Sequence, residues 1–188
     1  MSLRRPLFAF LSLSLLLSSS FVLAESNIGF NGIGGRLGYV MPEGDLDGTF
    51  NFGVVADLGE WMDNLGWEAA VTYWSSSEDL GVGEFSVSDI AIKTAVKYFF
   101  EVGDSQIRPF AGAGIGMHMF KSEWQWTGHP LYGSHEESES DSEFGFSLHG
   151  GAEMPLSDKL KGQAEVELDF ADLDQTHIQA TVIYLLGK

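Results

Sequence analysis

The sequence predicts an all-β protein: an eight-stranded, antiparallel, up-and-down β-barrel that crosses a membrane. Three observations predict it, namely an export signal, segments in which apolar and polar residues alternate, and apolar faces without charge. In residues 163–170, Val166 and Leu168 fall on one side of a strand and Glu165 and Glu167 on the other. Because lipid accepts only sheets without open edges, this pattern behind a signal favours a closed barrel.

Residues 1–24 have the composition of a secretory signal peptide. Arginines precede the apolar segment Leu7–Leu17, and small residues ending at Ala24 form a cleavage site. The apolar segment is shorter than the about 20 residues that a spanning helix needs. We therefore predict export, removal of residues 1–24, and one barrel domain over residues 25–188.

Eight strands follow from the alternation and from the turn-forming residues between them. In chain order we predict Ile33–Met41, Asn51–Glu60, Trp67–Trp74, Asp89–Phe100, Arg108–Phe120, Phe144–Met154, Gly162–Phe170 and His177–Leu186. Short turns span 62–66, 101–107 and 155–161, whereas in the other set of connections only 171–176 is short. Longer, acidic connections span 42–50, 75–88 and 125–143. Short turns at one end and longer loops at the other are typical of outer-membrane barrels, whose turns are periplasmic.

Successive side chains of a strand point to opposite faces, so residues at every second position share a face. This parity assigns one face of each strand to lipid. These residues are, strand by strand, Ile33, Leu37 and Tyr39; Phe52, Val54, Ala56 and Leu58; Trp67, Ala69, Val71 and Tyr73; Ile90, Ile92, Val96, Tyr98 and Phe100; Ala111, Ala113, Ile115, Met117 and Met119; Phe146, Leu148 and Ala152; Val166, Leu168 and Phe170; Ile178, Ala180, Val182 and Tyr184. None is charged, as expected where Lys or Arg at mid-bilayer costs about 2–4 kcal/mol.

Aromatic residues predict two interfacial belts. The outer belt comprises Tyr39, Phe50, Phe52, Tyr73 and Phe170, and the inner belt Trp67, Tyr98, Phe100, Phe110 and Tyr184. Trp124 and Trp126 do not share the parity of Met117, which predicts a bulge or a rim position there.

Four segments carry a resemblance to a known family: Gly35–Pro42, Val96–Phe100, Arg108–Gly116 and Phe144–Leu156. With them the chain resembles the eight-stranded outer-membrane β-barrel domain family, the OmpA/OmpX-like group. The resemblance implies the outer membrane of a Gram-negative-type envelope, in contact with lipid and lipopolysaccharide. Such barrels usually end in an aromatic residue, whereas here Tyr184 stands four residues before the last.

The same parity turns a set of charged residues inward. The predicted lumen residues are Arg36, Asp57, Glu68, Lys93, Lys97, His118, His149, Glu153, Glu165, Glu167 and Asp169. Eight strands leave room only for side chains or one small ligand, and buried charges must be paired. We therefore predict an ion-pair network that plugs the lumen, with a cation-conducting path as the alternative.

Two further patterns suggest chemistry that we do not adopt. Ser147, His149 and Glu153 offer a nucleophile, a base and an acid, but parity points them into the lumen, away from a lipid substrate. Gly112, Gly114 and Gly116 lie within a strand, whereas a dinucleotide fingerprint opens a helix. We expect these glycines to make room for bulky lumen groups such as Arg36 or Lys97.

The acidic segment 125–143 suggests a calcium loop, because calcium prefers clustered carboxylates. Its candidate ligands are His129, His135, Glu136, Glu137, Glu139, Asp141 and Glu143. The segment lacks the Asp-x-Asp-x-Asp-Gly spacing of a dedicated calcium loop. We predict a solvated acidic loop, no metal and no cofactor.

Composition narrows the remaining function classes. A net charge of −17 argues against binding to nucleic acid, and the absence of cysteine excludes disulfides and thiolate chemistry. We predict a monomeric, non-enzymatic membrane barrel with a structural or surface-interaction role, and an extracellular partner at segment 125–143. The rivals are a small-solute or cation channel and a soluble, lipocalin-like binder, in which Glu165, Glu167 and Asp169 would face water.

Overall fold

The computed structural model describes residues 28–44, 46–79, 83–126 and 135–186, so the predicted signal peptide lies outside it. Eight antiparallel strands form one closed barrel in which the first strand also pairs with the last. They are β1 (Gly32–Pro42), β2 (Thr49–Met62), β3 (Leu65–Asp79), β4 (Gly83–Phe99), β5 (Arg108–Trp126), β6 (His135–Ser157), β7 (Leu160–Phe170) and β8 (Gln175–Leu185). The predicted fold class is confirmed. No helix among the described residues is long and apolar enough to cross a membrane.

Three short turns and the two ends of the described chain lie at the same end of the barrel. β2 and β3 join at residues 63–64, where Asn64 adopts a positive φ of 63°, a conformation that asparagine tolerates better than most residues. β6 and β7 join at residues 158–159. The backbone N–H of Leu186 donates to the carbonyl of Asn31 at 2.7 Å and ties the two ends together. This end is the periplasmic one in the predicted orientation.

Two hairpins are longer than predicted, and much of the predicted outer loops is strand. β3 and β4 pair up to Asp79 and Glu84, and β5 and β6 pair up to Trp126 and His135. The predicted strands ended where sequence rich in Ser and Glu begins. Strand pairing continues through this sequence, in which Phe85 and Val87 still alternate with polar residues and face the inside of the barrel.

The apolar faces point outward and the charged faces inward. Val166 and Leu168 are 45% and 41% exposed, whereas Glu167 is fully buried. The lipocalin-like alternative required the opposite orientation, and this geometry contradicts it. Glycines at lumen positions allow close packing, since an added Cβ at Gly112 would lie 3.0 Å from Cγ of Lys97. Gly116 similarly faces Lys93, while Arg36 is not among their nearest neighbours.

Aromatic pairs mark both belts on the outer surface. In the outer belt Tyr39 packs on Phe50 with ring centroids 5.7 Å apart, and in the inner belt Tyr98 packs on Phe100 at 5.2 Å. The prediction for Phe110 was wrong, because it is buried inside the barrel against Phe99. Phe110 has the parity of the inward-facing Gly112, which the belt prediction overlooked.

Trp124 needs no bulge to reach its position. β5 pairs with both neighbours without any register shift. Trp124 therefore keeps the lumen parity and lies above the outer mouth of the barrel. The side chain of Trp126 lies outside the described part of the chain.

Candidate functional site

The lumen is the candidate site, because it brings most of the buried charged side chains together. Ten of the predicted residues are buried, namely Arg36, Glu68, Lys93, Lys97, His118, His149, Glu153, Glu165, Glu167 and Asp169. Asp57 lies at the periplasmic mouth with 13% of its side chain exposed.

Glu68 and Glu165 join the cations at the periplasmic half of the lumen. The Arg36 guanidinium forms an ion pair with Glu68, and its Nε donates to Thr181 Oγ1 at 3.0 Å. Lys97 Nζ lies 3.1 Å from Glu68 Oε2 and 2.5 Å from Glu165 Oε2. Arg36 also lies 3.9 Å from Glu165 Oε1, so each carboxylate contacts more than one cation, which offsets part of the cost of its burial.

Lys93 forms a second cluster farther towards the outer end. Its Nζ lies 2.8 Å from Glu167 Oε1 and 2.6 Å from Asp169 Oδ2. Gln179 Nε2 donates to Glu167 Oε2 at 2.6 Å and to Glu165 Oε1 at 2.8 Å. One amide thus links the two clusters into a continuous polar network.

His118 connects three strands above Lys93. Its Nδ1 lies 2.7 Å from Asp89 Oδ2, and its Nε2 lies 3.4 Å from Asp169 Oδ2. The second contact is an ion-pair distance without aligned hydrogen-bond geometry, since Nε2 has no hydrogen-bond partner among the described atoms. The ring stacks on Phe120 with centroids 5.6 Å apart.

Several polar lumen residues were not in the predicted set. They are Asn51, Asp89, Gln163, Gln175, His177, Gln179 and Thr181. Asp89 and His177 begin predicted strands on the lumen side, so parity alone could have identified both. The search for charge overlooked the neutral amides and hydroxyls, which complete the hydrogen bonds of the ions.

The Ser147–His149 pair forms as the sequence suggested, but with a different acid. Ser147 Oγ lies 2.8 Å from His149 Nε2, and His149 Nδ1 lies 3.2 Å from Glu165 Oε1. Glu153 instead pairs with Arg108 at 3.4 Å and Lys161 at 3.3 Å. Ser147 is buried and does not line the three cavities described at the ends of the barrel. A substrate carbonyl could not reach it in this state.

A metal would compete with lysine and arginine in this lumen. Donor atoms of His149, Glu165 and Glu167 lie within 4.8 Å of one another. However, Lys97 and Lys93 already contact these two carboxylates. A divalent cation there would face ammonium groups at close range, so the donor set suits ion pairs better than a metal.

An apolar cluster closes the outer end of the lumen. Its buried members are Val40, Trp74 and Val87, and its partly buried members are Leu46, Phe85, Phe120 and Leu173. Trp74 Nε1 donates to Gln175 Oε1 at 3.0 Å, which satisfies the one polar group of its ring. We call this cluster the outer cap. It lies between the polar network and the outer end of the barrel.

The periplasmic end is open by contrast. A cavity of about 440 Å³ is lined by Arg108, Glu153 and Lys161 and ends at Lys97 and Glu68. Lys161 Nζ lies 2.7 Å from Asp57 Oδ2, and Arg108 lies over the Phe99 ring at 4.5 Å. The cavity is therefore a vestibule whose floor is the ion-pair network.

The predicted acidic segment contributes exposed carboxylates at the outer end of the barrel. Glu139 and Asp141 are exposed on β6, and Glu143 accepts the backbone N–H of Asp172 at 2.8 Å. A side-chain hydrogen bond with the Asp172 carboxyl raises the pKa of Glu143, which lies beyond the Phe146–Phe170 pair of the outer surface. His129 and the side chains of His135, Glu136 and Glu137 lie outside the described residues.

Comparison with known proteins identifies the same architecture. The sequence matches the model of the outer membrane protein beta-barrel domain over residues 8–184. No match is found among curated protein sequences.

Solved structures share the fold at low sequence identity. A major outer membrane protein from Thermus thermophilus has a TM-score of 0.62 and 13% identity, with 82% of this chain and 99% of that chain covered. Neisserial surface protein A (NspA) has a TM-score of 0.60 and 12% identity, with 85% and 99% covered. Ail, the attachment invasion locus protein of Yersinia pestis, in complex with the heparin analogue sucrose octasulfate, has a TM-score of 0.51 and 14% identity, with 82% and 95% covered.

Proposed function

Because this chain belongs to the outer membrane protein beta-barrel domain family, we propose that it serves the outer membrane as a closed barrel that acts through its acidic extracellular surface. The lumen is a structural plug, with neither a conducting path nor a catalytic site. Residues 1–24 direct export and are removed, and the mature barrel is a monomer held in lipid and lipopolysaccharide.

The outer cap is the observation that carries this proposal. An ion entering from the vestibule would first meet the ion pairs of Lys97 with Glu68 and Glu165. It would then have to pass Val40, Trp74 and Val87, which are buried and apolar. Removing an ion's hydration shell in such surroundings is very costly. A channel would require both the ion-pair network and the outer cap to move aside.

The channel alternative is tested by planar-bilayer recording. We expect the purified, refolded barrel to give no discrete conductance steps, because the outer cap and the ion-pair network lie in series along the lumen. A porin reconstituted in the same lipid serves as the positive control. Reproducible steps that scale with salt concentration would support the small-solute or cation channel instead.

The outward placement of the long hairpins is tested by cysteine labelling, which the absence of native cysteine makes clean. We expect Ser138→Cys, exposed on β6, to react on intact cells with a polyethylene-glycol maleimide too large to cross porins. Asp158→Cys, in the β6–β7 turn, should react only after the cells are lysed. The reverse labelling pattern would mean that the hairpins face the periplasm.

The charge of the outer surface restricts the partners that it suits. Sucrose octasulfate, bound by Ail, is a polyanion. Here the exposed outer residues include Glu139 and Asp141, and the whole chain carries a net charge of −17. Like charges disfavour such a ligand. The surface is better matched to cationic partners.

A further inference from the structure

The two long hairpins form one sheet that projects beyond the barrel. β3 pairs with β2 only up to Trp74, and β6 pairs with β7 only from Phe146. Beyond these points β3, β4, β5 and β6 remain paired with one another. We call this part the projecting sheet; it comprises residues 75–79, 83–88, 121–126 and 135–145.

One face of the projecting sheet continues the lumen-facing parity and carries a strip of aromatic residues. Phe85 and Trp124 pack with ring centroids 4.8 Å apart, and the strip continues down to Phe120 at the outer cap. Trp124 remains 39% exposed. The distance from Phe120 to Trp124, four residues along one strand, is about 14 Å. An extended peptide of about four residues would cover it.

Carboxylates border this strip on β6. Glu139 lies opposite Ser122, and Asp141 lies opposite Phe120, in the β5–β6 register. Directly opposite residues have Cβ atoms about 5 Å apart. Neither carboxylate forms an ion pair with lysine or arginine within the described parts of the chain. We call Phe85, Phe120, Trp124, Glu139 and Asp141 the outer ledge.

The charge of the projecting sheet is almost entirely negative. Its sequence ranges contain nine Asp or Glu residues and a single lysine, Lys121. Lys121 has the parity of the outward-facing Met117 and pairs with Glu123 at 2.5 Å, so it lies on the opposite face from the ledge. A second copy of this chain would therefore bring acid against acid. The ledge favours an occupant that is both basic and apolar.

We propose that the outer ledge binds a basic, amphipathic peptide segment of another protein. Its apolar side chains pack on Phe85 and Trp124, and its lysine or arginine side chains pair with Glu139 and Asp141. Arginine also stacks well on exposed tryptophan. This inference rests on the proposed surface-interaction function and names the partner class that the function requires.

The test uses the full barrel in phosphatidylcholine nanodiscs and a fluorescein-labelled peptide of alternating arginine and leucine. Fluorescence anisotropy should show saturable binding, with empty nanodiscs as the blank. A matching arginine–serine peptide should bind more weakly, and a glutamate–leucine peptide should not bind. Binding of the glutamate–leucine peptide at equal affinity would overturn the proposal.

Substitutions distinguish specific binding at the outer ledge from non-specific attraction to the negatively charged surface. Glu139→Gln with Asp141→Asn, and separately Phe85→Ala with Trp124→Ala, should each weaken binding about tenfold or more. Ser122→Arg, which places a cation in the centre of the ledge, should abolish it. The matched control Glu123→Gln removes one charge from the opposite face of β5 and should leave affinity within about twofold. Heat-modifiable gel mobility checks that each variant is folded.

Each remaining outcome decides between occupants. If Glu123→Gln lost as much peptide affinity as the ledge variants, binding would depend only on the net charge of the surface, and the proposal would be overturned. Calcium binding that needs Glu139 and Asp141, without peptide binding, would replace the peptide by a divalent cation. If the barrel gives no conductance and shows the expected cysteine labelling but binds no peptide, the proposed function stands and only the proposal of peptide binding at the outer ledge fails. Discrete conductance removes the proposed function whatever the peptide does.

Discussion

Lys93→Met is expected to cost the barrel about 3–5 kcal/mol of unfolding free energy. Lys93 is the cation that contacts both Glu167 and Asp169 directly, at 2.8 Å and 2.6 Å. Both carboxylates are buried. Removing the ammonium leaves two buried carboxylates close together without a compensating positive charge. Breaking a buried ion pair by removing one partner is strongly destabilising for this reason. Urea titration in lipid vesicles, read by heat-modifiable mobility, measures the loss.

The same substitution at Lys121 is the matched control. Lys121 has 49% of its side chain exposed and pairs with Glu123 on the projecting sheet. Surface pairs of this kind contribute about 0–1 kcal/mol, so Lys121→Met should be nearly neutral. Adding Glu167→Gln and Asp169→Asn to Lys93→Met should recover much of the loss, because the carboxylates left without Lys93 are then neutral.

This comparison also separates a plug from a channel. If Lys93→Met cost no more than Lys121→Met, water would already be hydrating Glu167 and Asp169. A hydrated lumen is what the channel alternative requires, and the outer cap would then have to be open in solution. A large loss confined to Lys93 is instead what a dry ion-pair network predicts.

Parity was enough to place the predicted charged residues in the barrel interior, but not to identify their partners. Alternation along a strand determines which face a residue occupies. Which residues meet across two strands depends on register, and register depends on turns and bulges. Glu165, the acid beside His149, comes from β7 and is placed there by register, whereas Glu153 stands four residues along the same strand as His149, about 13 Å away.

The β6–β7 hairpin shows how one residue decides the register. Its ladder starts at Ser157 opposite Leu160 and shifts between Pro155 and Ser157. Continued without that shift, the ladder would place His149 opposite Leu168, a lumen residue opposite a lipid-facing one. The shift instead sets His149 opposite Glu167. A bulge of this kind inserts one residue. The alternation of apolar and polar residues in the sequence does not predict its position.

The outer cap was missed for a different reason. Val40, Trp74 and Val87 have lumen parity, but the predicted lumen set contained only charged residues, and the apolar residues that were given a face were assigned to lipid. Leu46 and Leu173 join the cap from connections between strands. Their positions depend on how those connections fold over the barrel mouth, which strand parity does not determine.

Leu37→Arg is expected to cost about 2–4 kcal/mol, because it places a charge on the lipid face near the middle of the bilayer. Leu37 is 62% exposed on β1. It lies between Tyr39 of the outer belt and Ile33, which is opposite Tyr184 of the inner belt. In hydrocarbon the guanidinium has no counterion, and its long side chain recovers only part of the cost by reaching towards the interface.

Ile33→Arg provides the depth control on the same strand and the same face. Near the interface the same charge should cost only about 0–1 kcal/mol. Unfolding free energies in vesicles of one lipid, measured side by side, give the difference. Equal and small costs at both positions would mean that this face meets water, and the membrane orientation derived from the exposed apolar residues would fail. A larger loss of unfolding free energy for Leu37→Arg than for Ile33→Arg is expected only if hydrocarbon surrounds the middle of the barrel and the polar interface surrounds its rim.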